Sequence, residues 1–536
     1  MTGATMEQLA ACAESVGSTG SRNEKIARVA GFLQGLGDED LRRAVLFLSG
    51  TPYAASDPRK LQVGHATMRP PLAAVTGWDF ETISTCYHEV GDSGETIALL
   101  VRPVTRGESM TLAKAEELYG SLQQSRKTAE KMAILENAFR TYDWLALKYF
   151  IKGITGNLRI GLQLKMVEEA LALAIGVPGD AIRAANNRAG DLGRVALSAR
   201  SGSLVDIEAV LFHPLDFMLA KPLDALADLP DPENWIVEDK YDGIRAQVHV
   251  AGGKVRIFTR GLEETTGSFP EIILALTALP GPLILDGEIL AWRQERALNF
   301  NALQQRIARK KVSQSSMDEF PVVFLAYDIL MEQGELLLEL PIEKRRARLE
   351  SLGLKHLAPQ HRVQTYDEID RLFLRAREQG NEGLLLKRTG SHYESGKRGG
   401  NWLKLKRPYG TLDVVVTAAE QGHGRRATVL SDVTFAVRDG DRFLNVGKAY
   451  SGLTDVEIKQ LTAIFKAASI ERYGRVHLVR PEVVLEVAFD GVQKSPRHKS
   501  GYALRFPRIV RWRTDKGPQD CDTVERVREL YEASLA

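Results

Sequence analysis

The spacing of apolar residues changes twice along this chain, so the chain must contain at least three units of different architecture. Before residue 206, apolar side chains recur every three or four positions, which places them on one face of an α-helix. One set with steps of three, four and three consists of Met132, Leu135, Phe139 and Tyr142. A second stretch of this kind, 166–177, is followed by Pro178, which ends a helix. We therefore predict an all-helical unit over residues 1–205.

Residues 206–407 show the alternation that is typical of β-strands. Apolar and polar residues alternate over 244–250 and again over 255–260, and Gly252-Gly253 between them suits a tight hairpin turn. Four further strand candidates surround a helix at 343–352, and they are 283–292, 320–330, 382–387 and 402–406. This mixture of strands and helices predicts an α/β unit.

The second change comes at Pro408-Tyr409-Gly410, after which strands dominate the pattern. One helix, at 454–468, interrupts these strands, and a short helix closes the chain. We predict a small β-barrel over residues 408–536. The expected fold class is thus a multidomain α + β protein: all-α, then α/β, then β-barrel.

The composition is that of a folded protein in a reducing compartment. Of 536 residues, 44% are hydrophobic and 26% are charged, which are ordinary values for a globular chain. Cys12, Cys86 and Cys521 are far apart, so a disulfide framework and a four-cysteine zinc site are excluded. The chain has no stretch of about 18 apolar residues that would cross a membrane. Its polar N-terminus lacks the basic-then-apolar order of a signal peptide, and we expect a cytoplasmic protein.

Local clustering of charge is more informative than the net charge, which is only +2. Charged residues stand repeatedly where predicted strands end, or interrupt apolar strands. They are Arg245, Arg260, Asp286, Glu288, Asp328, Glu382, Lys404 and Lys406. A set that converges on one sheet predicts a site for a polyanion with a metal. Arg and Lys neutralise phosphate oxygens and carboxylates hold Mg²⁺, so phosphoryl transfer fits this set.

Lys240 ends a predicted strand and has acidic residues on both sides, Glu238 and Asp239 before it and Asp242 after it. Taken alone, such a lysine is most often a solvated ion pair. The alternative is a lysine nucleophile, which needs a neutral amine and hence a pKa below its usual value of about 10.4. Facing a nucleotide phosphate, it would form a covalent lysyl-nucleotide. The chain has no GxxxxGK[ST] loop and no HRD or DFG motif, so a Walker-type NTPase and a protein kinase are excluded.

Six short motifs, in this order, resemble those of the covalent nucleotidyltransferases. They are Lys240-Tyr-Asp-Gly243, Thr259-Arg260-Gly261, Asp286-Gly-Glu288, Tyr327-Asp328, Glu382-Gly-Leu-Leu-Leu-Lys387 and Trp402-Leu-Lys404-Leu-Lys406. The ending Arg505-Phe-Pro-Arg508-Ile-Val-Arg511-Trp-Arg513-Thr-Asp515-Lys516 is similar to the C-terminal motif of ATP-dependent DNA ligases. The segment 155–162 resembles a signature in the helical DNA-binding domain of the larger members. By these motifs the chain is identified as a member of the ATP-dependent DNA ligases of the three-domain type.

The resemblance implies a clamp of three domains around nicked double-stranded DNA. These are a helical DNA-binding domain (1–205), a nucleotidyltransferase or adenylation domain (206–407) and an OB-fold domain (408–536). It implies that ATP adenylates Lys240, that AMP moves to the 5′-phosphate at the nick, and that the 3′-hydroxyl then displaces AMP. ATP and Mg²⁺ are the implied cofactors, and a monomer is expected.

The resemblance also implies roles for individual residues. Glu238 would lie beside the adenine and Tyr327 would stack on it, while Arg245 and Arg260 would contact the ribose and phosphates. The remaining implied ATP-binding residues are Glu288, Arg398 and Lys404, and the implied metal ligands are Glu288 and Glu382. Candidates for phosphate or DNA contact are Lys406, Arg513, Lys516 and Arg159.

Some features leave alternatives open. The polar segments 304–306 and 309–311 fit either a DNA-facing surface or an ordinary exposed helix. An RNA ligase or an mRNA-capping guanylyltransferase shares the lysine motif, although a capping enzyme lacks so large a helical domain ahead of it. An NAD-dependent ligase is disfavoured by the missing zinc site. The rival from another class is a non-catalytic DNA-binding or scaffold protein, which the intact Lys240, Glu288 and Lys404 disfavour.

Overall fold

The computed structural model describes residues 3–293, 296–298, 300–307, 312–422, 426 and 428–533. Its first unit is helical, as the spacing predicts. The helices described before residue 206 are α1 (Met6–Gly17), α2 (Arg22–Gln34), α3 (Asp38–Leu48), α4 (His65–Thr76), α5 (Phe80–Val90), α6 (Ser93–Val101), α7 (Leu112–Gln124), α8 (Thr128–Thr141), α9 (Trp144–Thr155), α10 (Leu164–Ile175), α11 (Gly179–Ala189) and α12 (Leu192–Ser201).

These helices share one apolar core. Leu135 and Phe139 of α8, on the face that the spacing predicts, are fully buried, and Phe47, Phe150 and Val167 pack in the same core. Helix ends are capped by side chains: Thr5 and Asp143, for example, accept hydrogen bonds from the first turns of α1 and α9. Such caps satisfy amides that have no partner within the helix. Across the described chain, every helix is too short or too polar to cross a membrane.

The second unit mixes strands and helices around two sheets. Its elements are β1 (Lys221–Leu223), β2 (Trp235–Lys240), β3 (Ile244–Ala251), β4 (Lys254–Thr259), α13 (Pro270–Leu276), β5 (Leu283–Arg293), β6 (Arg296–Ala297), α14 (Phe300–Ile307), α15 (Gln314–Glu319), β7 (Val322–Glu332), β8 (Glu335–Leu336), α16 (Ile342–Ser351), β9 (His361–Arg362), α17 (Tyr366–Glu378), β10 (Gly383–Arg388) and β11 (Trp402–Leu405).

One sheet has the strand order β1-β11-β10-β2-β9, and the other has the order β4-β3-β5-β7-β8 with β6 beside β5. The predicted hairpin is present, because Ala251 pairs with Lys254 across the two-residue turn Gly252-Gly253. Both glycines have positive φ, 53° and 72°, which the favoured two-residue hairpin turn requires. The chain leaves the first sheet at Lys240 and enters the second at Ile244. Lys240 therefore lies at the junction of the two sheets.

The third unit is a curled β structure. Its elements are β12 (Gly410–Gln421), β13 (Leu430–Asp439), β14 (Arg442–Ala449), α18 (Asp455–Ala467), β15 (Ser469–Tyr473), β16 (Val476–Val479), β17 (Val484–Phe489), β18 (Gly491–Lys494), β19 (Tyr502–Arg505), β20 (Arg508–Trp512) and α19 (Val524–Ala533).

The long strand β12 organises this unit. One edge of β12 pairs with β13, with two register shifts. Its other edge pairs with β17 in its first half and with β16 in its second half. Bulges of this kind bend a strand, so the sheet wraps around a core that includes Phe435, Phe465 and Leu485. The predicted fold class, helical then α/β then a small β-barrel, is confirmed.

Candidate active site

Lys240 is the last residue of β2, where it pairs with Gly383 of the neighbouring strand β10. Its Nζ lies 2.7 Å from Oε2 of Glu382. Gly243, just beyond it, makes the sharp passage between the sheets possible, because a Cβ there would lie 2.5 Å from the carbonyl oxygen of Ile289. The lysine is thus held at a fixed place, with its amine pointing to a carboxylate from another strand.

Glu382 joins two lysines that the sequence places far from it. Its Oε2 lies 2.7 Å from Nζ of Lys240 and 2.5 Å from Nζ of Lys406. Burial favours the protonated acid, but the two ammonium groups outweigh burial and hold the pKa of Glu382 below its ordinary value. The carboxylate is therefore ionised and bridges both lysines.

Glu288, on β5, faces the same space from the second sheet. Burial raises the pKa of Glu288 to about 8; Lys240 and Arg245 act in the opposite sense, while Glu382 adds to the rise. The ionised forms of Glu288 and Glu382 repel each other, so a cation that binds between them would be stabilised.

Cations gather around Lys404 of β11. Burial lowers the pKa of Lys404, and four positive charges near it lower the pKa further. They belong to Lys406, Arg398, Lys240 and Arg260. Within the described chain, neither Arg260 nor Lys404 forms an ion pair with a carboxylate. The five cations therefore repel one another, and a bound anion would stabilise them.

Arg245, on β3, lies near Glu288 and is held by several hydrogen bonds. It donates to both oxygens of the fully buried Asp286, at 3.1 and 2.7 Å, and to the carbonyl of Met218 at 2.6 Å. The hydroxyls of Tyr327 and Tyr393 donate to the same carboxylate at 3.1 and 2.8 Å. Asp286 is therefore the centre of a buried polar network, and the predicted contact of Arg245 with the ribose and phosphates stays a prediction.

A second buried pair lies beside Tyr327. Lys387 and Glu238 are both at most 1% exposed and form an ion pair of 2.8 Å, and Gln360 donates to Glu238 at 2.7 Å. Nζ of Lys387 lies 4.5 Å from the ring centres of Tyr327 and Trp402, within the range of a cation–π contact. The adenine roles of Glu238 and Tyr327 stay predictions, and both side chains contact Lys387.

Several sequence candidates lie elsewhere. Arg513 and Lys516 contact Asp413 at 3.0 and 2.5 Å within the third unit. Arg159 pairs with Asp92 at 3.4 Å on the surface of the helical unit. Asp328 is buried against Arg345 at 2.8 Å and does not join the cluster.

The segment 304–306, for which a DNA-facing surface or an exposed helix is expected, lies in α14 and its Gln304 is exposed, but both alternatives are wrong for Arg306. Arg306 is fully buried and donates to both oxygens of Glu271 at 2.8 and 2.9 Å. Residues 309–311, named in the same prediction, lie outside the described residues.

The sequence did not predict the contacts between the second and third units. Arg505, in β19, donates to Asp242 at 2.6 Å, two residues after Lys240. Lys406 also lies 3.7 Å from Asp490 of the third unit. The sequence motifs contain Asp242 and Arg505, but nothing in their spacing indicates that they meet. Similarly, Asp286 and Tyr393 become partners only through the fold.

Comparison with known proteins accounts for all three units. Family models described as "DNA ligase N terminus", "ATP dependent DNA ligase domain" and "ATP dependent DNA ligase C terminal region" match residues 5–172, 217–406 and 426–516. A protein of Koribacter versatilis named "Probable DNA ligase" is 42% identical, over 99% of this chain and 97% of that protein. The chain belongs to the ATP-dependent DNA ligase family. It is an enzyme, and the general activity of its family is the sealing of nicks in DNA.

Other relatives agree with this ligase along its whole length. "DNA ligase 1" of Korarchaeum cryptofilum is 33% identical over 99% of each chain. The solved structure "Pmar-Lig_PreS3" shares the fold, with a TM-score of 0.56 at 16% identity over 94% of this chain and 99% of that chain. Membership of the ATP-dependent DNA ligase family excludes the alternatives of an RNA ligase, a capping enzyme and an NAD-dependent ligase.

Proposed function

We propose that Lys240 is the nucleophile of this ligase and attacks the α-phosphate of ATP to form lysyl-AMP. The observation that carries this proposal is the position of its amine: it lies 2.7 Å from Glu382 and belongs to a group of five cations that also includes Lys404, Lys406, Arg398 and Arg260. Attack by the neutral amine forms an N–P bond and breaks the bond from the α-phosphorus to the oxygen that bridges it to the β-phosphate, so pyrophosphate leaves. The amine also gives up a proton, for which Glu382, 2.7 Å away, would be the acceptor. Strand pairing to β10 keeps the amine in place, which reduces the entropy cost of the attack.

We propose that Lys404, Arg398 and Arg260 hold the phosphates of ATP. Positive charges that are already assembled stabilise the negative charge that develops on the leaving pyrophosphate. Arg398 is exposed, with one hydrogen bond of 3.2 Å to the carbonyl of Ala220, so its guanidinium has further donors for phosphate oxygens. Lys406 is a further candidate for binding the phosphates of ATP, provided that Glu382 releases Lys406 and binds another cation.

Glu288 and Glu382 would hold Mg²⁺. Among the described residues, no group of three Asp, Glu, His or Cys side chains is placed to hold a metal ion. Mg²⁺ commonly binds one or two carboxylates and takes its other ligands from substrate phosphates and water, so this pair fits the ion. When bound, Mg²⁺ would neutralise charge on the phosphate oxygens. The chain's part is to place two carboxylates beside Lys240.

We propose that the nucleoside binds over the buried network of Asp286. Arg245 and Tyr327 are locked there by hydrogen bonds to Asp286, and the Glu238–Lys387 pair lies beside the ring of Tyr327. Because hydrogen bonds already hold these side chains in place, little conformational entropy is lost when a ligand binds. Glu238 would then contact the adenine and Tyr327 would stack on it.

The DNA would lie against a basic hollow in the helical unit. This hollow has a volume of about 510 Å³ and is lined by Pro58, Arg59, Lys60, Gln62, Gln123, Ser125, Arg126 and Lys131. The buried Lys131 donates to the carbonyl of Leu61 at 2.7 Å and so holds one side of the hollow to the other. The three exposed cations of this hollow, Arg59, Lys60 and Arg126, suit the phosphate backbone of a duplex, although Arg59 also pairs with Asp57 at 2.6 Å. Arg159 is proposed as a further backbone contact.

We propose the domain division 1–205, 206–407 and 408–536, in a monomeric, cytoplasmic ligase that encloses nicked DNA. Separate apolar cores support this division. In the arrangement described, Arg505 of the third domain contacts Asp242, whereas Arg513 and Lys516 are bound to Asp413. We infer that self-adenylation needs a different placement of this domain, in which Arg513 and Lys516 reach the pyrophosphate.

The proposal is tested by incubating the full chain with radiolabelled ATP and Mg²⁺ and resolving it on a denaturing gel. Label is expected on the wild type and absent from Lys240→Ala, since alanine has no amine; label that survives this change refutes the assignment. The same assay over a Mg²⁺ series tests the metal ligands. Glu288→Ala and Glu382→Ala should need more Mg²⁺ and more ATP, and a wild-type response from either variant removes that residue from the metal site.

A further inference from the structure

The loop between β10 and β11 carries Arg398, and it lies against a helix of the N-terminal domain. Asn187, in α11, donates from Nδ2 to Oγ of Ser395 in this loop at 2.8 Å. Lys397 lies 3.6 Å from Asp180, which is also in α11. The helical domain thus touches the loop three residues before a proposed ATP-phosphate ligand.

Three hydrogen bonds form a closed ring at this contact. Asn187 donates to Ser395, Ser395 donates to the carbonyl of Asp216 at 2.6 Å, and the amide of Asp216 donates to Oδ1 of Asn187 at 2.6 Å. The amide nitrogen of Asp216 can only donate, so it must face the oxygen of Asn187, and this sets the orientation of the whole side chain. Each of the three residues belongs to a different segment, and Asn187 alone belongs to a helix of the N-terminal domain.

The ring is continuous with the support of Arg398. The segment that begins at Asp216 runs alongside the loop: Leu219 donates to the carbonyl of Lys397 at 2.8 Å, and Arg398 donates to the carbonyl of Ala220 at 3.2 Å. Gly396, between Ser395 and Lys397, has φ 70°, and a Cβ there would lie 2.9 Å from Oδ2 of Asp216. The two segments are therefore in close contact along this stretch, and Asn187 joins both of them.

We propose that Asn187 is a positioning residue for self-adenylation: it holds Ser395 and Asp216 together and thereby keeps Arg398 directed at the phosphates of ATP. The helical domain then serves the nucleotide step as well as gripping DNA. This inference rests on the proposed role of Arg398 as an ATP-phosphate ligand. It acts through the loop, because Asn187 itself is separated from the nucleotide site by Ser395 and Arg398.

The test uses the full chain and follows lysyl-AMP formation over a series of ATP concentrations. Asn187→Ala and Ser395→Ala should each raise the half-saturating ATP concentration about fivefold, the effect of losing a hydrogen bond of ordinary net strength. The maximal rate should fall by a smaller factor, because most of the contact of Arg398 with the phosphates is already made in the bound state, and only its interaction with the charge that develops on the pyrophosphate is specific to the transition state. Ser395→Thr, which keeps the hydroxyl, should stay near the wild type.

Two comparisons separate positioning from general damage. Asp180→Asn removes two ion pairs of the same helix, with Lys397 and with Arg183, but leaves the ring of hydrogen bonds intact. Because Asp180 is well exposed, this change should leave the ATP requirement unchanged. Sealing of a chemically pre-adenylated nick, which needs no ATP phosphates, should proceed at the wild-type rate in Asn187→Ala. An equal loss in sealing and in adenylation, or an unchanged ATP requirement in both alanine variants, overturns the inference.

Arg398→Ala distinguishes this inference from the function on which it rests. It should raise the half-saturating ATP concentration about tenfold or more, as expected for charge-assisted hydrogen bonds. If Arg398→Ala has no effect, the proposed role of Arg398 fails. If Arg398→Ala has its effect but Asn187→Ala does not, only the positioning role of Asn187 fails.

Discussion

Replacing Asp286 by asparagine should destabilise the central domain by about 3–5 kcal/mol, the cost of removing one partner of a buried ion pair. Asp286 is fully buried and accepts four hydrogen bonds, two from Arg245 and one each from Tyr327 and Tyr393. Asparagine offers one oxygen in place of two ionised oxygens. The guanidinium of Arg245, whose side chain is only 15% exposed, would then keep its charge without the carboxylate that accepts its hydrogen bonds.

The magnitude can be assigned to the ion pair by a double-mutant cycle with Arg245→Met. Removing both charges leaves no unpaired ion, so the double variant should be more stable than Asp286→Asn alone. A control on the same sheet is Glu335→Gln, since Glu335 meets Arg348 at 3.3 Å with both side chains well exposed. The control should cost less than about 1 kcal/mol.

The assay is urea unfolding of the full chain, followed by tryptophan fluorescence. Trp402 is a suitable reporter because the guanidinium of Arg245 lies 5.3 Å from its ring centre. ATP labelling of Asp286→Asn should fall as well, since Arg245 and Tyr327 lose their anchor. The reasoning is refuted if Asp286→Asn costs less than about 1 kcal/mol, or if the two single changes add without coupling.

Three further predictions concern the N-terminal domain, the basic end of the C-terminal domain and the buried His249. A chain that begins at residue 206 should still be labelled by ATP, although it should need more ATP because it lacks Asn187, and it should bind nicks more weakly and with a shallower salt dependence, because fewer phosphates are contacted; equal salt slopes in both forms contradict this. Changing Arg513 and Lys516 to alanine together should impair self-adenylation much more than sealing of a pre-adenylated nick, and an equal loss in both assays would indicate a structural role. Burial lowers the pKa of His249 to about 3, so its stability contribution is complete above the unfolded pKa of about 6.5 and is lost as the pH falls below it. Between pH 7 and pH 5 this amounts to about 2 kcal/mol, and urea unfolding at both pH values should show a smaller difference for His249→Gln.

Local patterns in the sequence were enough to predict the order of the domains. The helical face of α8 and the hairpin at Gly252-Gly253 depend on neighbours within a few residues, which the sequence displays directly. The nucleotide motifs identified the family for the same reason, because each one is a short run of adjacent residues. Lys240 was singled out by such a motif, and the comparisons support the family to which the motif belongs.

Pairwise contacts inside the site were not predictable in this way. Arg306 resembled a surface residue in a polar segment, yet it is fully buried, and Glu271 and a backbone carbonyl accept hydrogen bonds from its two terminal nitrogens. In the sequence, Asp286 interrupts an apolar strand. Its four hydrogen bonds, however, come from residues of β3, β7 and the β10–β11 loop. Asn187 carries no motif at all, and only the tertiary structure brings it to its partners Ser395 and Asp216.

The sequence by itself determined the succession of helical, α/β and β-barrel domains, the family and the lysine motif, because periodicity, turn chemistry and adjacent residues act over short distances along the chain. The tertiary structure alone decided that Lys240 and Lys406 share Glu382, that Arg245 is bound to Asp286, and that α11 supports the loop of Arg398. The chain contains 71 Lys and Arg residues and 69 Asp and Glu residues, so composition allows a very large number of ion pairs. Strand register and domain packing select among them, since a charge that is buried must find its partner within a few ångströms.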